Sequence, residues 1–149
     1  MAMQGRDRLL AKLKAIQGAP RKAMREALET GAKQIVATAK TLAPVDDGAL
    51  RDSIGYTFGD YTPENANVRG FGAGKGDPDL TVTIHAGNAK AFYAAYVEFG
   101  TSPHDAGGKF KGAKHPGAAA QPFFFPAVRA NKRSVKARLT RAMKKAIKG

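Results

Sequence analysis

The sequence predicts an α+β fold: N-terminal helices, a small antiparallel sheet, a long basic loop and a C-terminal amphipathic helix. Three observations carry that prediction. Apolar residues recur at three- and four-residue spacing over the N-terminal quarter and again toward the C-terminus; two short stretches between them alternate apolar and polar residues; and Gly- and Pro-rich intervals separate these patterned segments. The length of 149 residues suits one domain, residues 1–149, and a fold of this size buries roughly 68–70% of the surface its unfolded chain exposes.

Leu9, Leu13 and Ile16 place a short helix over about residues 6–16, and Gly18, Ala19 and Pro20 interrupt it. Pro20 suits the first turn of a second helix, where its missing N–H has no bond to lose. Met24, Leu28, Ile35, Ala39 and Leu42 carry the stripe on to Pro44, with Gly31 inside it at a cost of about 1 kcal/mol. Asp46, Asp47 and Gly48 then supply turn chemistry, since Asp bonds its own backbone and Gly accepts positive φ. Ile54, Tyr56 and Phe58 alternate over 53–58, and Leu80, Val82 and Ile84 alternate with Thr81, Thr83 and His85, so both stretches read as half-buried strands. Between them, 59–79 is rich in Gly, Pro, Asn and Asp and has no periodic apolar set, which predicts a flexible loop.

Phe92, Tyr96 and Phe99 fit a helical stripe, so a short helix is expected within 91–99, although so short a stretch does not separate one period from another. Residues 100–121 have the composition of a second flexible loop, a basic arm with Lys109, Lys111 and Lys114 set among glycines. From Pro126 onward, Val128, Val135, Leu139, Met143 and Ala146 form an apolar stripe on a helix whose other faces are crowded with Lys and Arg. Cations in its last turn suit the helix dipole.

Twenty-five Lys and Arg against twelve Asp and Glu give a net charge of +13, which points to a polyanionic neighbour. Its distribution is uneven. Residues 1–40 carry nine basic and three acidic side chains, residues 41–108 four and nine, and residues 109–149 twelve and none, so an acidic middle lies between two basic ends. Such polarity suits like molecules packing head to tail as well as an anionic partner. The one-signed C-terminal helix repels itself unless an anion lies nearby, and no aromatics are interleaved with its cations, so any DNA contact is expected at phosphates and independent of sequence. With 43% apolar and 25% charged residues the composition is globular. Zero Cys excludes a disulfide framework and a thiolate nucleophile. No apolar run approaches the roughly 20 residues that span a bilayer and no secretory signal is evident; no membrane partner is expected, and a soluble protein made in the cytoplasm is.

Catalytic signals are weak, and no enzyme activity, cofactor or metal is expected. Gly70, Gly72, Gly74 and Gly76 alternate without phosphate-loop spacing or a following Lys-Ser or Lys-Thr pair. His85, His104 and His115 show no ligand spacing. Asp46, Asp47 and Asp52 are explained by a turn, and Ser53 has no His partner at readable spacing. Phe123, Phe124 and Phe125 are the densest apolar feature. Neighbours in an extended segment alternate sides, so at least one should meet a second surface; a satellite core cluster and a subunit anchor both remain open for them.

Three blocks carry a resemblance. Ala43-Pro44-Val45-Asp46-Asp47-Gly48-Ala49-Leu50-Arg51-Asp52-Ser53-Ile54 is similar to an Ala-Pro-Val-Asp-Thr-Gly-x-Leu-Arg-x-Ser-Ile signature of tailed-phage proteins. Tyr93-Ala94-Ala95-Tyr96-Val97-Glu98-Phe99-Gly100-Thr101 resembles their Tyr-Ala-x-x-Val-Glu-Phe-Gly-Thr block, and the stretch from His115-Pro116-Gly117 to Gln121-Pro122-Phe123, ending in Phe124-Phe125-Pro126-Ala127, resembles their closing Gln-Pro-Phe-x-x-Pro-Ala block. In this order, and with the preceding helix, they cover most of the chain from about residue 20 to 147. Asp47 departs from the usual Thr. The family is the tail-component, or neck and tail-completion, family typified by gene product ten of the Hong Kong lambdoid phages.

The resemblance implies a structural virion protein of siphophage-like particles, including prophage and gene transfer agent relatives, made in the host bacterial cytoplasm. It implies a homo-oligomeric ring around the DNA channel at the head–tail junction, next to head-closure and tail-terminator or tail-tube proteins and in transient contact with double-stranded DNA. On that reading Tyr93, Tyr96, Glu98, Phe99, Phe123, Phe124 and Phe125 are candidates for subunit contacts. Pro44, Gly48, Leu50, Ser53, Gly100, Pro122 and Pro126 hold turns, and Lys109, Lys111, Lys114, Lys132, Arg133, Lys136, Arg141 and Lys144 are candidates to face the channel or another anion. The alternative from charge alone is a small basic, sequence-independent DNA-binding protein.

Overall fold

The structure, a computed structural model, describes residues 4–63 and 76–148, with side chains from residue 18 onward. Two long helices, α1 (Gln4–Leu42) and α4 (Phe124–Lys148), frame the smaller elements, which follow in the order α2 (Ala49–Ser53), β1 (Gly55–Phe58), β2 (Val82–His85), α3 (Ala94–Phe99), β3 (His104–Asp105), a single 3-10 turn at Gly108–Phe110, and β4 (Lys114–His115). The expected α+β class and small antiparallel sheet are both found.

The N-terminal helices expected on either side of Gly18 to Pro20 are one helix, with Pro20 inside it. A proline deprives only the carbonyl four residues earlier of its donor, and a helix held on both sides bends rather than ends. Ala19 and Ala23, on either side of Pro20, line one groove with Ala142 and Ala146 of α4. The helix ends at Leu42, two residues before Pro44.

α1 and α4 run antiparallel, with Gly31 facing Val135, Gln34 bonded to Asn131 and Arg138, and Thr38 bonded to Asn131. The seam is built from small residues. Ala27, Gly31, Ala32, Ile35 and Ala39 are buried, whereas Met24 and Leu28 of the expected stripe are half-buried and Leu42 is exposed. A β-carbon on Gly31 would lie 2.8 Å from Val135 Cγ1, so this glycine permits the close approach. Helix propensity alone favours Gly31→Ala by about 1 kcal/mol; the contact reverses the sign. We expect Gly31→Ala to destabilise the fold by about 1–3 kcal/mol in urea denaturation, and Val135→Ala to recover part of that loss in the double variant.

Polar groups set the register of the seam. Buried Asn131 donates through Nδ2 to Thr38 Oγ1 and to the Ala127 carbonyl, both at 2.9 Å, and its Oδ1 accepts from Gln34 Nε2 at 2.7 Å. Arg138 donates to Gln34 Oε1 at 2.9 Å, so it belongs to this seam rather than to the outer cationic face.

β1 and β2 pair antiparallel, Gly55 opposite His85 and Phe58 opposite Val82. The first strand starts later than expected because 49–53 forms α2, and the second starts at Val82 rather than Leu80. One sheet face lies on α1: the Tyr56 hydroxyl donates to Glu29 Oε1 at 3.2 Å and the Arg25 guanidinium stands 4.1 Å over the Phe58 ring. Of the 59–79 connection, residues 64–75, including Gly70, Gly72 and Gly74, lie outside the described residues. Its far end is tied to α1 by Arg21 with Asp77 at 2.7 Å and by Arg25 with Asp79.

His85 is on the other side of the sheet, stacked on Tyr61 with ring centroids 3.9 Å apart, and its Nε2 lies 3.3 Å from Thr57 Oγ1. Its Nδ1 is buried with no hydrogen-bond partner among the described residues. Burial pushes the His85 pKa down. The unfolded chain therefore takes up this proton first, near pH 6.5. The stability tied to the neutral ring is fully present above that pH and is lost as pH falls toward the depressed folded value. The expected result is a melting temperature that drops between pH 7 and 5.5, with a shallower drop in His85→Phe.

Residues 100–121 are not a loop without regular structure. They form a hairpin in which His104 faces His115 and Asp105 faces Lys114, extended by the Thr101–Ala118 bridge. Its strands are two residues long and exposed on both faces, so they carry no hydrophobic alternation for a sequence reading to detect.

The buried core lies where α1, α2, α3 and the start of α4 meet: Ala39, Ala43, Leu50, Ile54, Ala91, Ala94, Phe123 and Ala127, with Phe123 and Ile54 its largest fully buried side chains.

Candidate functional site

The three sequence blocks converge on the start of α4. An α-helix leaves its first amides without intrahelical acceptors, and here one side chain collects them. Glu98 Oε2 accepts from the Phe123 and Phe124 N–H groups, each at 2.8 Å, and Oε1 from that of Phe125 at 3.0 Å. The next residue, Pro126, has no N–H to satisfy, and Ala127 donates to the Phe123 carbonyl. A carboxylate at this end also meets the positive pole of the helix dipole. One turn back, the Gln121 N–H donates to the Val97 carbonyl at 2.8 Å, so the second and third blocks are sewn together by four hydrogen bonds. Gly100 closes α3 with φ 72° and ψ 179°, and a β-carbon there would lie 2.6 Å from the Ala118 carbonyl oxygen. Only glycine fits that approach.

The first block is the other wall. Asp47 Oδ1 accepts from the Ala49 N–H at 2.9 Å, so its carboxylate stabilises this turn. Gly48 takes a positive φ, Pro44 is half-buried, and Leu50 is buried. Ser53 is buried, donates to the Leu50 carbonyl at 2.6 Å and accepts from the Gly87 N–H at 2.9 Å, so it ties α2 to the segment after β2. That satisfied hydroxyl is structural rather than nucleophilic.

These contacts change the candidate list. Glu98, 6% exposed, and Phe123, 1% exposed, are spent inside the chain and leave the subunit-contact set. The Phe triplet is not extended as the sequence suggested: Phe123 precedes α4 and Phe124 and Phe125 form its first turn, stacking edge-to-face at 5.8 Å. The reason is the Glu98 cap, a partner too distant in sequence to be read locally. Tyr93 is half-buried beside the Asp46–Asp47 turn; burial raises its pKa first, and Asp47 and Asp46 raise it further. Pro122 is exposed and Pro126 half-buried.

Tyr96 and Phe99 of α3 and Phe92 in the turn before it, the residues of the expected stripe, are turned outward: Phe92, Tyr96 and Phe99 are 50%, 56% and 57% exposed. Phe99 also touches Phe125, with ring centroids 5.9 Å apart. Lys109, Lys111 and Lys114 are exposed on the hairpin, and Lys132, Arg133, Lys136, Arg141 and Lys144 are exposed along α4. Ion pairs among the described residues involve Arg21, Arg25, Lys33 and Arg51, and none involves a residue from 109 to 148. His104 and His115 stack at 5.0 Å, but the described residues contain no group of three or more His, Cys, Asp or Glu that could hold a metal ion. No helix among them is long and apolar enough to cross a membrane.

What the surface offers is uncompensated charge and outward aromatic side chains, which suit contact with other macromolecules, and what the interior fixes is helix ends and turns. The chain belongs to the family described as bacteriophage HK97-gp10, putative tail-component, whose model matches residues 7–100, taking in α1 and the first two blocks up to Gly100. It is a structural phage tail protein and thus a part of the virion, with partners among other phage proteins. No curated protein and no solved structure matches the chain.

Proposed function

We propose that this chain forms a ring at the head–tail junction of a siphophage-like particle of a phage, prophage or gene transfer agent. The ring encircles the DNA channel and completes or joins the tail, between a head-closure protein and tail-terminator or tail-tube proteins. The observation that carries this reading is the cationic surface of α4 and the β3–β4 hairpin: exposed, with Asp105 as its single acid, and without an ion pair among the described residues. A surface of that kind tolerates passing phosphates, and Asp46, Asp47 and Asp52 supply the opposite sign for a neighbouring subunit.

Electron microscopy of lysates lacking the gene tests the role. Free heads beside finished tails are the expected phenotype and mark a joining defect; overlong tails mark termination instead, and normal particles sink the proposal. The same cations favour a second reading, a sequence-independent DNA-binding protein. That reading requires the monomer to bind duplex DNA with an affinity that falls steeply with salt, whereas the ring component binds little duplex before it assembles.

A further inference from the structure

The hairpin tip and the outward face of α3 are complementary, and we infer that Phe110 of one subunit docks on the Phe92–Tyr96 face of the next copy. The inference rests on the ring reading above and names the contact that builds the ring.

The tip presents an aromatic side chain in a fixed frame. Phe110 is 74% exposed, yet its backbone is held in a turn: the Phe110 N–H donates to Gly107, the Lys111 N–H to Gly108, the Ala113 N–H to Phe110 at 3.0 Å, and the Ala106 N–H to Ala113 at 2.7 Å. Lys109 and Lys111 flank it in the chain, and Lys114 lies on β4 opposite Asp105, the hairpin's one acid. An exposed Phe held at the end of a polar hairpin contributes nothing to the chain's own core; as an anchor in a partner it removes a large apolar area from water.

The receiving face has the opposite character. Phe92 and Tyr96 stand outward one helical turn apart, and Tyr93 between them feels the charges of Asp46 and Asp47. The T-shaped contact of Phe92 with Tyr93, at 6.0 Å, joins the aromatic face to a ring packed on the core that Ala43 and Leu50, on either side of that acidic turn, help to form. Asp52 is partly engaged by Arg51 at 3.9 Å, so Asp46 and Asp47 supply the free negative charge. An apolar knob flanked by Lys thus meets an aromatic face that has the Asp46–Asp47 turn near its Tyr93 side. Because knob and face are different surfaces of one chain, the contact is head-to-tail and propagates into a ring or a filament.

Sedimentation velocity of the purified full chain over a wide concentration range, with p-benzoylphenylalanine placed at position 110 in a parallel sample, tests the contact. The expected result is self-association that Phe110→Ala weakens on the order of tenfold or more without moving the melting temperature, and photo-crosslinks onto residues 92–96 or 45–47 of a second copy. Lys109→Glu with Lys111→Glu should weaken association, and adding Asp46→Lys should restore it. Association that is unchanged in Phe110→Ala, or crosslinks onto another face, overturns the docking and leaves the ring reading standing. A wild-type chain that stays monomeric throughout and gives no crosslinked dimer overturns both.

Discussion

Replacing Glu98 with Ala is expected to be among the most damaging single changes in this protein, lowering stability by about 3–5 kcal/mol. Three amides at the start of α4 lose their acceptor at once, and each buried N–H left without a partner costs about 1–3 kcal/mol, partly relieved where water enters. The effect reaches beyond the helix end. Phe123, just before α4, and Ala127 within it join the core, and Asn131 joins the seam with α1, so fraying the first turn loosens both. Glu98→Gln keeps one acceptor oxygen but turns an NH2 toward the amides, so it should fall between wild type and Glu98→Ala. Urea denaturation ranks the three, and hydrogen exchange at residues 123–127 locates the loss. Equal protection in Glu98→Ala and wild type would show that the carboxylate does not cap α4.

Phe123→Ala should cost about as much by another route, since truncating a fully buried Phe loses its transfer free energy and leaves a cavity, together about 3–5 kcal/mol. For a domain whose total stability is on the order of 5–15 kcal/mol, either change alone threatens folding at 37 °C. Phe124→Ala and Phe125→Ala should cost less, because both rings are only half-buried. A melting-temperature series over the three positions checks that order; a flat series would mean that the triplet is a surface cluster. Glu98 and Phe123 are in direct contact through the Phe123 N–H, so their effects should be less than additive in a double-mutant cycle.

Much of this was written locally. The helical spacing of Ile35 and Ala39, the alternation of Tyr56 and Phe58, and the Pro44 stop needed only nearest-neighbour periodicities, and these became α1 and β1. The short helix around Tyr96 was legible for the same reason. Its orientation was not: the stripe of Phe92, Tyr96 and Phe99 reads like a buried face, yet α3 seats Ala94, Val97 and Glu98 inward instead. The hairpin at 100–121 was illegible because its order resides in backbone bonds and in glycines at special angles, while its short strands carry no alternation of apolar and polar residues.

What the sequence determined by itself is the α+β class, the membership of the phage tail-component family, whose match takes in the first two blocks up to Gly100, and the separation of an acidic middle from basic ends. Each is a property of composition or of short-range pattern. The tertiary structure alone decided that α1 continues through Pro20, that Gly31 is a contact point rather than a weak spot, and that Glu98 is a helix cap rather than a surface charge. The physical reason is common to the last two. Gly31 meets Val135, and Glu98 meets Phe123, Phe124 and Phe125, across separations at which sequence pattern carries no information. The free energy of a buried amide or an absent methyl is set by what the fold brings against it.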